Sequence, residues 1–355
     1  MSIINPSARY RAGLAIGAAA LLLSGVVTGC GAAQGADDGT QVKIAFLGYS
    51  AANGYTKNSY EAAKAAAEKL GGKVTFFDGK FDGATQLAQA RDAIASGQYQ
   101  ALEILPNNSA QMVPVVQEAL AKGMKVAAID YLIGTDPTAV DRPGVEGITV
   151  QIADNMAEGG KAQGEQAAAL CQGISPCKVM IEIGSKSSEF DVIKLTEIKK
   201  VLAQNPNIQI VTEAADGFEE AKVERTTRDV LQANPDLNLI VTTGDQNCFG
   251  AERAVKSAGK EFAAQTQPGG GKIACLGWGG SRDGVQEILA GNWPSSIALI
   301  PETFGAAAAE HLIKSVRDPQ TPPLITTQTA MSPIGRIATA ESLAAHPEYL
   351  GEWDK

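Results

Sequence analysis

From Val42 onward, short apolar runs alternate with longer stretches whose apolar residues recur every three or four positions. "VKIAFLGY" (42–49) has the length and composition of a buried strand. "YTKNSYEAAKAAAEKLGG" (55–72) is rich in strong helix formers and ends on two glycines, which predicts a helix and its stop. "KVTFF", "ALEILP" and "KVAAID" repeat the strand pattern, with "ATQLAQARDAIASG" and "SAQMVPVVQEALAKG" as the helices between them. A loop rich in Pro, Gly and Asp (131–147) leads into "ITVQIADNMAEGGKAQGEQAAAL", and the rhythm restarts. "KVMIEIG", "IQIVTEAA", "LNLIVTTGD", "KIACLGWGG" and "PSSIALIP" are each followed by a helical stretch, and "LITTQTAM" is the last strand-like piece. Repeated strand-then-helix units predict parallel sheets covered on both faces. About ten strands are too many for one ordinary open sheet, so the expected fold is α/β with two doubly wound parallel-sheet lobes.

The first forty residues follow another pattern. Arg9 and Arg11 precede an uncharged, largely apolar run (12–29) and then Cys30. A charged start, an apolar middle and small residues before a cut describe an export signal, and the run is short for a membrane span of about 20 residues. Val27-Thr28-Gly29-Cys30 resembles a bacterial lipobox. That resemblance implies cleavage before Cys30 and a diacylglycerol on its sulfur, with 1–29 as signal peptide and 30–40 as a flexible tether. The expected location is the outer face of the cell membrane, held by lipid. An ordinary secretory signal with an incidental cysteine is the other reading.

Composition narrows the function. The chain has 355 residues, 45% hydrophobic and 19% charged, which allows a sizeable core and two domains. A net charge of −9 with no basic run excludes nucleic acid as a partner. With Cys30 set aside, Cys171, Cys177, Cys248 and Cys275 form an even set, as expected in an oxidising compartment. Cys171 and Cys177 flank the turn-rich "QGISP", and Cys248 and Cys275 then pair by elimination; four reduced buried thiols are the alternative. No CxxC or His-rich spacing points to zinc or another metal. The first strand-to-helix turn lacks a G-x-G-x-x-G fingerprint, and "PGGGK" (268–272) runs into a strand, not a helix. His311 and His346 are the only histidines, and no nucleophile–base arrangement emerges. The chain reads as a non-enzyme without a cofactor.

In doubly wound sheets, ligands bind at the carboxyl ends of the strands. Those ends offer Asn53, Tyr55, Thr56, Asp130 and Tyr131 in the first half of the chain. In the second half they offer Phe190, Asp191, Phe218, Asp245, Gln246 and Trp278. Carboxylates and amides suit hydroxyl edges, and aromatic rings suit C–H faces, so the set points to sugars or polyols. Capping and turn roles compete for each residue taken singly.

Nearly all of the mature chain resembles a bacterial periplasmic sugar-binding protein of the ribose-binding type, the type I fold of an ABC importer's solute-binding lipoprotein. "IAFLGYSAANGYTKNSYEAAKAAAEKLG", "ALEILPNNSAQMVPVVQEALAKGMKVAAID", "IADNMAEGGKAQGE" and "DGFEEAKVERTTRDVLQANPDLNLIVTTGDQNCFGAERAVKSAG" carry the likeness, in the family's order. The resemblance implies a three-segment hinge, with crossings near 153/154, 299/300 and 331/332. It implies an N-terminal lobe of 41–153 with 300–331 and a C-terminal lobe and tail of 154–299 with 332–355. It implies Asn53 as an amide ligand, Tyr55 and Phe218 as stacking faces, and Asp130 as an acceptor. The chain departs from the family where Tyr131, Asp191 and Val192 stand in place of arginines. It departs again where Gly244 replaces an asparagine, Gly279 an aspartate and Leu299 a glutamine. Those departures favour a small sugar or sugar alcohol (pentose, pentitol or tetritol) over ribose. The implied partners are that ligand and the transmembrane subunits of an ABC permease, with the protein acting as a monomer. A receptor for a furanosyl signal or a chemosensory sugar is the alternative output. A repressor of the lactose-repressor type shares the lobes but needs a helix-turn-helix where this chain has its signal.

Overall fold

The computed structural model describes residues 41–354, so the signal segment, Cys30 and nearly all of the tether lie outside the described residues. Strands β1 (Lys43–Gly48), β2 (Lys73–Asp78), β3 (Ala101–Ile104), β4 (Lys125–Asp130) and β5 (Val150–Ala153) alternate with α1 (Gly54–Lys69), α2 (Gly83–Ser96) and α3 (Ser109–Ala121). The second lobe runs through α4 (Met156–Leu170), β6 (Cys177–Ile183), α5 (Glu189–Leu202), β7 (Ile208–Ala215), α6 (Glu220–Ala233) and β8 (Leu239–Thr242). It continues with α7 (Asp245–Ser257), β9 (Glu261–Phe262), β10 (Lys272–Gly279), α8 (Arg282–Leu289) and β11 (Ser295–Ala298). The chain returns through α9 (Pro301–Arg317) and β12 (Leu324–Thr327), then leaves again through α10 (Gln328–Met331), β13 (Ile337–Thr339) and α11 (Ala340–Ala345).

The first sheet has the order β12-β5-β4-β3-β1-β2, with every pair parallel. The second has the order β13-β11-β10-β8-β6-β7, parallel except for β13, which runs antiparallel to β11; β9 pairs with the start of β10. The fold is therefore two doubly wound, parallel-dominated lobes, and the chain passes between the sheets three times. The expected class holds. Two differences are local. β9 and β13 are two and three residues long, too short for a period to register. "LITTQTAM" stops being a strand at Thr327, whose hydroxyl caps α10 by accepting from Ala330 N at 3.2 Å.

The strands read as continuous apolar runs because both faces are covered. Along β1, Ala45 and Leu47 join Leu102, Val126, Ile94 and Val116 in one core, under α2 and α3. Ile44 and Phe46 point the other way and pack with Phe304, Ala308 and Leu312 of α9. The second lobe repeats this with Val179, Ile181, Leu239 and Leu276 against Ile198 and Leu202 of α5. Both cysteine pairs suggested by the spacing are joined: Cys171 to Cys177 (Cα–Cα 5.6 Å) and Cys248 of α7 to Cys275 of β10 (Cα–Cα 6.0 Å). Side chains on both sides of each sheet leave its strand ends as the place where loops meet.

Candidate functional site

The first lobe's strand ends centre on Asp130. It closes β4 with φ +70°, a left-handed conformation that non-glycine residues adopt at a cost. Only 2% of it is exposed. One carboxylate oxygen accepts from the Tyr49 hydroxyl (2.9 Å) and the other from Gln328 Nε2 (2.8 Å), which reaches it from the third crossing. Gln328 Oε1 also accepts from Ile300 N (3.3 Å), at the second crossing. Burial pushes the Asp130 carboxyl up to about 6; Tyr49, Tyr55 and Lys194 pull it down, and Asp154 adds to the rise. Tyr55, in the first turn of α1, faces the same carboxylate, yet its buried hydroxyl makes no hydrogen bond of good geometry.

Beside Tyr55, the two expected polar contacts serve the helix. Asn53 is the N-cap of α1, its Oδ1 accepting from Thr56 N (2.9 Å) and Thr56 Oγ1 (3.1 Å). Thr56 is fully buried, with its methyl against Gly48, where a Cβ would lie 2.6 Å away. Thr56 therefore serves the cap and the packing of α1. Asn53 keeps only its amide nitrogen for a ligand.

In the second lobe, Ser188 caps α5 and sets Phe190 and Asp191 in its first turn. Asp191 ties strand ends together: Oδ2 accepts from Ser185 N (2.9 Å) and Oδ1 from Thr243 Oγ1 (2.9 Å). Phe218, at φ +60°, lays its ring on the backbone of Gly184 and Gly244, where a Cβ would come within 2.1 Å and 2.5 Å of it. The Asp191 carboxylate borders Gly184 and the Gln246 amide borders Gly244, so Phe218 lies between Asp191 and Gln246 on one floor.

Asp245 departs from the expectation. It is fully buried, with Oδ2 accepting from Ser281 N and Ser281 Oγ (2.7 Å each) and Oδ1 from Ser296 Oγ (2.7 Å). It is a clamp that fastens α7, the turn before α8 and β11. Trp278 is also more enclosed than its glycine neighbours suggest, at 2% exposure. The far edge of its indole meets Gly159 of α4, and the Lys194 ammonium stands 4.4 Å above its ring.

The two halves meet. Tyr131 from the first lobe and Phe190 from the second stack at 3.4 Å between centroids and 10° between planes. Arg336, after the third crossing, pairs with Asp154 (2.9 Å) and Glu158 (2.7 Å) after the first, holding two hinge segments together. The tail adds Trp353, which donates to Gly279 O (2.7 Å) and stands edge-on to Tyr55 (5.8 Å, 87°). The structure thus gathers Tyr55, Asp130, Tyr131, Phe190, Asp191, Phe218, Gln246 and Trp278 about the facing strand ends.

Tyr49, Lys194, Gln328 and Trp353 were missed. Tyr49 ends the first apolar run, and Gln328 follows the last strand once it is cut at Thr327, so the strand-end rule applies to both. Lys194 lies three and four residues after Asp191 and Phe190, on the same helical face. Trp353 carries no sequence signal. Among the described residues no group of three His, Cys, Asp or Glu side chains could hold a metal. Two surface hollows of about 360 and 380 Å³, along α6, α7 and α8, are lined by none of the cleft residues.

Residues 44–318 match the family described as the periplasmic binding protein domain. The ribose import binding protein of Bacillus subtilis (strain 168) is 27% identical over 249 residues, covering 69% of this chain and 72% of that protein. Among solved structures, a galactofuranose binding protein superposes with a TM-score of 0.70 at 20% identity, covering 86% of this chain and 97% of the other. A Caulobacter myo-inositol binding protein bound to myo-inositol gives 0.69 at 16% identity, over 86% and 95%. These two similarities establish the fold.

Proposed function

This chain belongs to the periplasmic binding protein domain family, and we propose that within it the protein is the substrate-binding component of a carbohydrate ABC importer. It closes its lobes on a small sugar or sugar alcohol, with a pentose, pentitol or tetritol favoured, and delivers it to the permease's transmembrane subunits. The carrying observation is the Tyr131–Phe190 stack, two aromatic faces from opposite lobes beside Asp130. Rings supply faces for C–H groups and the carboxylate supplies an acceptor for hydroxyls. The ribose relative and the myo-inositol neighbour support a polyhydroxy ligand.

The moving bodies are 41–153 with 300–331 and 154–299 with 332–355. A ligand favours closure only by what it contacts in the closed state. Asn53, Tyr55, Asp130, Tyr131, Phe190, Asp191, Phe218, Gln246 and Trp278 are the ligand-facing set. Export by residues 1–29 and a lipid on Cys30 hold the protein at the outer face of the membrane, as a monomer that performs no catalysis.

Thermal shift followed by calorimetry on the mature chain tests this, with D-ribose, D-allose, L-arabinose, myo-inositol, xylitol and erythritol as probes. The expected outcome is a saturable rise in Tm with one or a few of them. Indifference to all six, with a response to furanosyl signal compounds, moves the assignment to a receptor.

A further inference from the structure

We infer that the tail segment 352–354 is a strap between the lobes, in which Trp353 is a positioning residue that holds the Tyr55 ring for sugar binding. The inference rests on the carbohydrate reading above and names a residue that acts through Tyr55, outside the ligand-facing set. The second lobe holds the strap at Gly279 and Arg282. Trp353 Nε1 donates to Gly279 O (2.7 Å), Trp353 O accepts from Arg282 N (2.9 Å), and Asp354 pairs with the Arg282 guanidinium (3.3 Å). The first lobe holds it at α9, whose N-cap residue Ile300 makes no side-chain bond to the helix. Glu352 supplies that cap from the tail: Oε2 accepts from Thr303 N (2.9 Å) and Oε1 from Thr303 Oγ1. A carboxylate suits a helix N-terminus both as an acceptor and through the helix dipole. The strap therefore spans the second crossing.

The indole is the part of the strap that reaches the site. It is 2% exposed and stands edge-on to the Tyr55 ring, at 5.8 Å and 87°. Phe304, in the first turn of α9, meets the same ring at 5.9 Å and 59°. Tyr55 is thus held by one aromatic from its own lobe and one from the tail. Gly279 belongs to this arrangement. A Cβ there would lie 2.4 Å from the indole Cζ2, so the indole fills the space that a side chain at this strand end would need. The φ of +144° at Gly279 also favours glycine. Edge-to-face pairs orient rings. A ring ordered before the ligand arrives does not lose that freedom on binding, a loss that otherwise weakens affinity.

Trp353→Leu and Trp353→Phe separate positioning from packing. Both keep apolar bulk and both lose the N–H bond to Gly279 O, which retains Leu299 N (3.2 Å) as a donor. Only phenylalanine returns a ring edge to Tyr55. Calorimetry uses the most responsive of D-ribose, xylitol and myo-inositol. Trp353→Leu is expected to bind it roughly two- to tenfold more weakly, the scale of immobilising one side chain, and Trp353→Phe to recover most of that loss. In a Tyr55→Leu background, adding Trp353→Leu is expected to change affinity by less than about twofold, because the indole acts through Tyr55. Parent-like binding by Trp353→Leu overturns the inference. So does a loss of equal size in both backgrounds, or one of equal size in the leucine and phenylalanine variants, since either leaves the tail a structural support alone. A parent indifferent to every sugar and polyol counts against the carbohydrate reading itself. Ring-labelled tyrosine NMR of the unliganded protein then decides: Tyr55 signals averaged by free ring rotation in Trp353→Leu support the strap, and parent line shapes overturn it.

Discussion

Asp130 and Asp245 read alike: each closes or follows an apolar strand, in "KVAAID" and "LIVTTGD". In the fold they have become different things. Every donor to Asp245 comes from Ser281 or Ser296 of the second lobe, so its bonds are complete within one body. Asp130 takes one bond from Tyr49 of its own lobe and one from Gln328 of the third crossing, and the Tyr55 hydroxyl faces the same carboxylate. Two strand-end aspartates thus differ in where their donors originate, one bonded within its lobe and one bonded across a crossing. Residue type and position alone do not separate the two.

The comparison breaks first at Asp245. Asp245→Ala leaves Ser281 N, Ser281 Oγ and Ser296 Oγ buried without their acceptor, and Gly277 and Gly284 lose the group they pack against. Orphaned buried donors cost about 1–3 kcal/mol each, so the expected loss is roughly 3 kcal/mol or more. Thermal unfolding should show it as a fall in Tm on the order of 5–10 °C. A variant that keeps the parent's Tm but loses sugar binding would return Asp245 to the ligand set.

Asp130 should do the reverse. Asp130→Asn keeps the shape and a carbonyl acceptor, so the fold persists, while a ligand hydroxyl loses a charged partner. Affinity should drop roughly tenfold or more, the scale of a hydrogen bond to a charged group. The pH dependence sharpens this. The folded pKa of about 6 lies above the ordinary aspartate value of 3.8, so the folded state holds the proton more tightly. The stability this contributes is full below about 3.8 and is lost as pH rises through about 6, about 3 kcal/mol at most. Glu182, pushed by burial to about 8, acts in the same direction over a higher window. Ligand affinity should move oppositely, falling as pH drops below about 6, because the hydroxyl needs an ionised acceptor. Calorimetry across pH 5 to 8 reads it, and in Asp130→Asn that slope should flatten.

The sequence showed the architecture well and the site unevenly, for a physical reason. Buried parallel strands leave long apolar runs, and helices leave a period, so both lobes were legible. Phe190, Asp191 and Phe218 were legible as strand-end residues because the turn that follows a buried strand must lie in the cleft. Hydrogen-bond allegiance has no such signature. Asn53 and Thr56 bond each other, Asp245 bonds two serines distant in sequence, and Gln328 reaches Asp130 across 198 positions. Trp353 belongs to a tail whose place is set by contacts with Gly279 and Tyr55, not by any period.

The smallest expected effect tests the finest distinction, between a residue beside the ligand and a residue behind the helix that presents it. Thr56 follows Tyr55 directly, so sequence placed both in the cleft. Its hydroxyl donates to Asn53 Oδ1, which also takes Thr56 N and therefore stays paired when the hydroxyl is removed. Its methyl meets Gly48, and valine keeps that contact. Thr56→Val should thus remove one neutral hydrogen bond and leave no buried group orphaned, a change of about 0.5–1 kcal/mol. Sugar affinity should stay within about twofold of the parent, since 0.4 kcal/mol or so separates values that close. A loss of about tenfold or more at unchanged Tm would place the hydroxyl on the ligand and detach Asn53 from its capping role. Asp245→Ala losing stability, Asp130→Asn losing affinity and Thr56→Val losing almost neither would separate three residues that read alike at strand ends into a clamp, a ligand acceptor and a helix cap.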